Sequence, residues 1–212
     1  MYEKQNNRQI MKFAAKLFSI IFHPLLLPSI GMIIIFNSGT YLSNLLPQAK
    51  LLIVAVIFIT TFLFPVLSLP VMKWQKLISS FSLDKRQERL LPILTTLIYY
   101  YLAYYMVAES HIQGIIRAFV LSGIIALTIA FFITLKWKIS LHMIGLGSIF
   151  ALIISISLRL GTNLSGFLII WTLITGLTAS SRLYLQSHNL TQIVVGFFVG
   201  SATVLTTILY YN

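Results

Sequence analysis

Long apolar stretches alternate with short polar ones along most of the 212-residue chain. A helix that crosses a bilayer needs about 20 mostly apolar residues. Seven stretches come close enough to be read as spans: 17–36, 51–72, 90–107, 115–135, 141–159, 166–180 and 190–210. The connections between them are short, and we find no linker and no internal repeat. The pattern therefore predicts an all-α fold, a polytopic transmembrane helical bundle of six to seven spans that forms one integral membrane domain over residues 1–212.

The composition agrees with a membrane protein. Hydrophobic residues make up 58% of the chain and charged residues only 9%, whereas about a quarter of an ordinary soluble domain is charged. The net charge of +11 is a basic excess that in membrane proteins reports topology and contact with anionic headgroups, so we expect a lipid bilayer as partner and no nucleic acid. The chain has no cysteine, which excludes disulfides, thiolate catalysis and cysteine-ligated metals.

Three polar clusters, at residues 84–89, 138–142 and 181–188, interrupt the apolar sequence. With seven spans, all three clusters and the basic N-terminal segment 1–16 lie on the same side of the membrane. Twelve of the fifteen Lys and Arg residues fall on that side, so the positive-inside rule predicts that it is cytoplasmic. No small-residue cleavage pattern follows the first apolar stretch, which we interpret as a retained span rather than a signal peptide.

Each cluster stands where a span begins, so each can supply a helix cap. Asp84, with Gln87 as its capping-box partner, is a candidate for the third span, Ser140 for the fifth, and Ser187 or Asn189 for the seventh. Three helix N-termini that point at one region form an anion site. The clusters also carry four cations suited to phosphate oxygens: Lys85, Arg86, Arg89 and Arg182.

Two histidines complete the candidate chemistry. A phosphate ester held by cations can be cleaved when one imidazole attacks phosphorus and another protonates the departing oxygen. His188 and His142 can supply that pair. Asp84 is the only aspartate and the glutamates are scattered, so we expect neither a carboxylate site nor a metal centre, and no cofactor.

The same residues resemble three signatures of the type 2 phosphatidic acid phosphatase superfamily. The spacing Ser181-Arg182, His188, Gln192, Gly196 is similar to its third signature. Ser140-Leu141-His142 resembles its Pro-Ser-Gly-His signature, and the segment 85–92 resembles, more loosely, its Lys…Arg-Pro signature. The signatures occur in family order over roughly residues 80–200, which suggests a phosphatase-like core at about 80–212.

The resemblance implies a metal-independent membrane phosphatase that hydrolyses a lipid phosphate or pyrophosphate, such as phosphatidic acid or undecaprenyl pyrophosphate, through a phosphohistidine. It implies a bacterial inner (cytoplasmic) membrane protein, although family members that handle exported lipid carriers have their site on the outer face. His188 would be the nucleophile and His142 the general acid. The phosphoryl oxygens would be held by Arg182, Lys85 and Arg89, with Arg86 and Ser140 as further donors.

The chain departs from the family pattern at several positions. Gln192 stands where the family has the aspartate that orients the nucleophile, and glutamine can accept the hydrogen bond but brings no negative charge. Leu141 and Ile139 replace the glycine and proline of the second signature, and Lys85 and Arg89 are closer together than in the first. These departures favour, as an alternative, a non-catalytic member that binds or translocates a phosphorylated lipid.

Simpler interpretations remain open for individual residues. Arg182 can snorkel to the interface while His188 caps a helix, and the basic residues at 85–89 can be ordinary membrane anchors. His23, followed by Pro24, could face the site, but the pattern favours a hydrogen-bonded core histidine at a bent helix. Gly196 and Gly200 form a small-residue pattern that lets helices approach closely. If these interpretations all hold, the chain is a structural membrane protein with a basic surface.

Overall fold

The computed structural model describes residues 2–81, 83, 85–109 and 114–211, with side chains described from residue 7 onward. These residues form an all-α bundle, without a strand among them. Helix α3 contains a π-helical segment at Ile59–Leu63, and a 3₁₀ turn at Gln87–Arg89 leads into α4. In chain order the helices are α1 (Tyr2–Ile21), α2 (Leu27–Phe36), α3 (Pro47–Trp74), α4 (Leu90–Glu109), α5 (Gly114–Lys136), α6 (Leu141–Leu160), α7 (Ser165–Tyr184) and α8 (Leu190–Tyr210).

Six of these helices, α3 to α8, are long and apolar enough to cross a membrane. They match the second to seventh predicted spans, and each predicted stretch lies within the corresponding helix. The predicted class is therefore confirmed: the chain is an integral membrane protein built as a polytopic helical bundle. Helix α6 has the largest buried fraction of the six and packs against α2, α5, α7 and α8.

The first predicted span, 17–36, is wrong as a single helix. Helix α1 ends at Ile21 and α2 begins at Leu27. Pro24 explains the break, because proline has no N–H to continue the helical ladder and its ring disfavours helical geometry in the residue before it. Sliding hydropathy does not register such a break, since proline and the leucines that follow are all apolar.

The break leaves the start of α2 beside the start of α6. Leu27 packs directly over Gly145 near the start of α6, and the Ser38 carbonyl accepts a hydrogen bond from Thr162 Oγ1 at 3.2 Å, just beyond the end of α6. Residues 27–38 thus run beside α6 from one end to the other. The three polar clusters lie at the end of the bundle where α6 begins, because α4 and α5 separate the first cluster from the second, and α6 and α7 separate the second from the third.

Helices α6 and α8 run parallel and nearly touch along their backbones. A Cβ atom added at Gly196 would lie 2.8 Å from the Ser140 carbonyl oxygen, and one at Gly200 would overlap the Ile144 carbonyl. On α6, a Cβ at Gly147 would overlap the Phe197 carbonyl in the same way. The close helix contact that the small-residue pattern predicts is therefore present. It fixes the position of the start of α6 relative to the start of α8.

Candidate functional site

One cavity, with a volume of about 230 Å³, opens among the helix ends that carry the polar clusters. Each cluster contributes to its wall: Arg89 from the first, His142 from the second, and Arg182 with His188 from the third. The other end of the cavity extends into the bundle and is lined by apolar or weakly polar side chains. These include Leu27, Ile93, Tyr100, Phe119 and Ile149.

Helix starts surround the polar end of this cavity. Of the helix caps predicted there, one is present and another is not. Asn189 caps α8, because its side-chain oxygen accepts a hydrogen bond from the backbone N–H of Gln192 at 2.9 Å in a capping box. Ser140 occupies the N-cap position of α6 without making a capping bond, so that prediction is wrong. Its hydroxyl is buried and has no hydrogen-bond partner among the described residues. Asp84 lies outside the described residues.

The Gln192 side chain determines the tautomer of His188. Gln192 Oε1 lies 2.9 Å from His188 Nδ1 and accepts a second hydrogen bond from the Asn189 amide at 3.4 Å. A backbone N–H can only donate, so this contact assigns the atom as the amide oxygen. His188 Nδ1 must then carry the hydrogen. The remaining ring nitrogen, Nε2, keeps its lone pair, which is the form that a nucleophile requires.

Two arginines bring positive charge to the histidines. Arg89 is only 9% exposed, and its Nε donates to the Leu83 carbonyl at 2.7 Å, which fixes the guanidinium at the cavity wall. The charge of Arg182 acts on His142 and His188, and that of Arg89 acts on His188. Paired guanidinium groups beside an imidazole that is not charged form a good receptor for a phosphoryl dianion.

Three of the predicted phosphate ligands lie outside the cavity wall. Lys85 has a side chain that is 75% exposed, and its Nζ lies 3.5 Å from a Glu88 carboxylate oxygen. Glu88 is held in turn by the Ser79 amide at 3.0 Å. Arg86 is partly exposed and, like Ser140, does not line the cavity. The structure thus brings Arg89 and Arg182 together with the histidines and leaves Lys85, Arg86 and Ser140 apart.

The sequence favours a core position for His23, with the site as the alternative. His23 lines the cavity, and its ring lies edge-on to the His142 ring with the centroids 5.5 Å apart. The sequence signal was the His23-Pro24 pair, because a proline that breaks a helix places the preceding side chain at the helix end. The fourth histidine, His111, lies outside the described residues.

We expect His188 to titrate near pH 4 in the folded protein. Burial lowers its pKa from 6.5 to about 4; the Gln192 hydrogen bond opposes this shift, while Arg89, Arg182 and Lys138 add to it. His188 is therefore neutral at pH 7 and becomes charged only as the pH falls through about 4. NMR of ring-labelled histidine in detergent, assigned with His188→Ala, measures the midpoint. Arg182→Ala should raise it without restoring 6.5, because burial is the larger cause, and a wild-type midpoint at or above 6.5 contradicts the assignment.

The fold and the cavity together define an integral membrane protein with an internal pocket that is cationic at one end and apolar at the other. Comparison of the chain with models of known protein families, with characterised proteins and with solved structures gave no match.

Proposed function

We propose that the protein is a membrane phosphatase that hydrolyses a lipid phosphate or isoprenoid pyrophosphate through a phosphohistidine on His188. One observation carries the proposal: the Gln192 amide holds His188 in the tautomer whose free nitrogen is a nucleophile, in a cavity shared with Arg89 and Arg182. The signature resemblance to the type 2 phosphatidic acid phosphatases points to the same residues. The two lines of reasoning are independent, since the tautomer follows from hydrogen bonds alone.

The reaction proceeds in two steps. His188 Nε2 attacks phosphorus, the bond from phosphorus to the leaving oxygen breaks, and that oxygen keeps the electron pair and takes a proton from His142, which carries this proton once the bound phosphate dianion offsets the charge of Arg182. Water then attacks the phosphohistidine and gives a proton to His142, while the P–N electron pair returns to His188. Arg89 and Arg182 neutralise the charge on the phosphoryl oxygens throughout. The products are a lipid alcohol or lipid monophosphate and inorganic phosphate.

The apolar part of the cavity supports an amphiphilic substrate. Ile149 lies eight residues beyond the start of α6 and Tyr100 ten residues beyond the start of α4, which at 1.5 Å per residue is roughly 12–15 Å from the polar end. A phosphate held at the arginines can therefore place its first apolar carbons between the helices. A purely polar phosphate gains nothing from those walls.

Phosphate release by purified protein in detergent tests the proposal directly. A panel should contain phosphatidic acid, undecaprenyl pyrophosphate, a shorter prenyl phosphate and a water-soluble sugar phosphate. We expect release from at least one amphiphile and little from the sugar phosphate. If no lipid phosphate in the panel is hydrolysed, the phosphatase proposal is wrong.

A second candidate is a non-catalytic member that binds or translocates a phosphorylated lipid. Gln192 favours it, because a neutral amide stabilises a charged imidazole less than a carboxylate does. The two candidates differ in their response to Gln192→Asp, which supplies the missing charge: an enzyme is expected to gain rate, whereas a binding protein should not acquire turnover.

Gln192→Leu is expected to lower the rate of an enzyme by about 10- to 100-fold, by analogy with the loss of a hydrogen-bond partner that orients a metal-ligating histidine. The leucine fills similar space but no longer selects the His188 tautomer. Steady-state assays of both variants beside the wild type give the comparison. A Gln192→Leu protein with unchanged kcat shows that the amide does not set the reactive form of His188.

The localisation that goes with this proposal is the bacterial inner membrane. The excess of basic residues at the cavity end supports a cytoplasmic site. Labelling a Ser187→Cys variant, which introduces the chain's only thiol, with a membrane-impermeant reagent tests the sidedness: protection in intact cells and labelling in inverted vesicles are expected.

A further inference from the structure

The junction between α1 and α2 reaches the cavity because of how α1 ends. In a continued helix the His23 amide would donate to the Ser19 carbonyl, but it donates instead to the Ile20 carbonyl at 3.2 Å. Pro24 has no amide to offer. The Ser19 carbonyl is thereby turned towards α6, where it lies 3.0 Å from His142 Nε2.

This contact determines which nitrogen of His142 remains for chemistry. A carbonyl oxygen can only accept, so Nε2 of His142 carries a hydrogen in both the neutral and the charged ring. Its second nitrogen, Nδ1, is therefore the atom that can gain and release a proton. The Ser19 carbonyl also stabilises the charged ring, which is the role that a carboxylate has in other acid–base histidines.

His23 is held in a different state. Its Nδ1 accepts from the Leu25 amide at 3.4 Å, so the neutral ring carries its hydrogen on Nε2. A charged His23 would set two N–H groups against each other at this contact. The charge of Arg182, which also acts on His142 and His188, acts on His23 as well and opposes a second positive charge. His23 is thus a neutral ring with one N–H group in the wall of the cavity.

We propose that His23 is a third functional histidine of this site, which binds a phosphoryl oxygen through Nε2–H while the Ser19 carbonyl holds His142 as the proton donor. This inference rests on the phosphatase function proposed above and adds a division of labour to it. His188 attacks, His142 gives the proton, and His23 stabilises the charge on the transferred group. A neutral donor of this kind acts on the phosphoryl oxygens, not on the leaving group.

The division of labour predicts how each histidine responds to the leaving group. An alkyl phosphate needs its leaving oxygen protonated, whereas a nitrophenyl phosphate does not, because nitrophenol is a far stronger acid than an alkanol. His142→Ala should therefore slow the alkyl ester much more than the aryl ester. His23→Phe, which keeps a ring but removes the N–H, should lower kcat/KM for both esters by a similar factor of about 10²–10³, the range for loss of one charge-stabilising donor.

His23→Gln separates a hydrogen-bonding role from a packing role. The glutamine amide can place an N–H near the position of Nε2, so this variant should recover at least about tenfold of the rate that His23→Phe loses. Inhibition by orthovanadate, which imitates the phosphoryl group in transfer, should weaken in His23→Phe and recover in His23→Gln. Ser29→Ala, a change at a buried hydroxyl of α2 outside the cavity wall, serves as the matched control and should leave both rates unchanged.

Three results would overturn the assignment while leaving the phosphatase intact: normal rates in His23→Phe, a loss confined to the alkyl ester, or no recovery in His23→Gln. A loss confined to the alkyl ester makes His23 the proton donor. A wild-type protein that hydrolyses neither ester nor any lipid phosphate overturns the proposed function, and the role of His23 with it.

Discussion

His188→Ala is expected to reduce phosphate release by about 10⁴-fold or more, the loss typical of removing a covalent nucleophile. Among the described histidines of the cavity wall, His23 has its lone pair engaged by the Leu25 amide, and the lone pair at His142 Nδ1 is taken up by the proton that the reaction transfers. The measurement is release of radiolabelled phosphate, together with quenching in alkaline detergent to trap the phosphorylated protein, because a phosphohistidine survives base but not acid. The wild type should yield an acid-labile phosphoenzyme and the variant none.

Lys85→Ala is the matched control for that experiment. It removes a cation from the same end of the bundle, but one whose side chain is 75% exposed and lies outside the cavity wall. Its rate should stay within about twofold of the wild type, because exposed ion pairs contribute little. A phosphoenzyme that persists in His188→Ala contradicts the assignment of the nucleophile, whatever the rate.

Gly200→Ala is expected to destabilise the folded protein by about 1–3 kcal/mol, the usual result of adding a methyl group where there is no room. The new Cβ would overlap the Ile144 carbonyl, and a backbone atom cannot rotate away as a side chain can. Helices α6 and α8 must then separate. Thermal unfolding in one detergent, followed by intrinsic fluorescence, measures the change, and the activity should fall with it because His142 and His188 move apart.

Gly176→Ala offers the opposite case on a neighbouring helix. A Cβ atom at Gly176 meets nothing within 4 Å, so the substitution only removes backbone freedom and should stabilise α7 by about 0.5–1 kcal/mol. If both alanine variants unfold at the same temperature, close contact between α6 and α8 is not what holds this part of the bundle together.

The six long helices could be predicted because a bilayer span requires a stretch of about twenty apolar residues, which few other structures show. The break at Pro24 could not be found in the same way. Hydropathy sums side chains, whereas the end of α1 depends on a missing backbone N–H. The position of His23 could not be predicted for the same reason. Its sequence neighbours are so apolar that the sequence favours a core position.

The candidate site divides along similar lines. The polar clusters were predicted to meet because two spans separate each cluster from the next. The break in the first predicted span does not change this, since it lies before all three clusters. Arg89 and Lys85 could not be told apart, because they are four residues apart in one basic segment. Only the short 3₁₀ turn at Gln87–Arg89 and the bond from Arg89 to Leu83 show which of them turns inward. Ser140 was misjudged because its hydroxyl faces the bundle interior instead of the helix end.

The end of α1 has a consequence for the modularity of the chain. The signature resemblance covers a phosphatase-like core at about residues 80–212 and leaves the first two helices outside it. The Ser19 carbonyl on His142 and the His23 ring beside it make that division unworkable. An excised core, or a chimaera with a foreign leader, would lose the acceptor that orients one imidazole and a second imidazole entirely, even if it inserted and folded. Transfer of this site to another protein therefore requires Ser19 and His23 as well as the residues of the later helices.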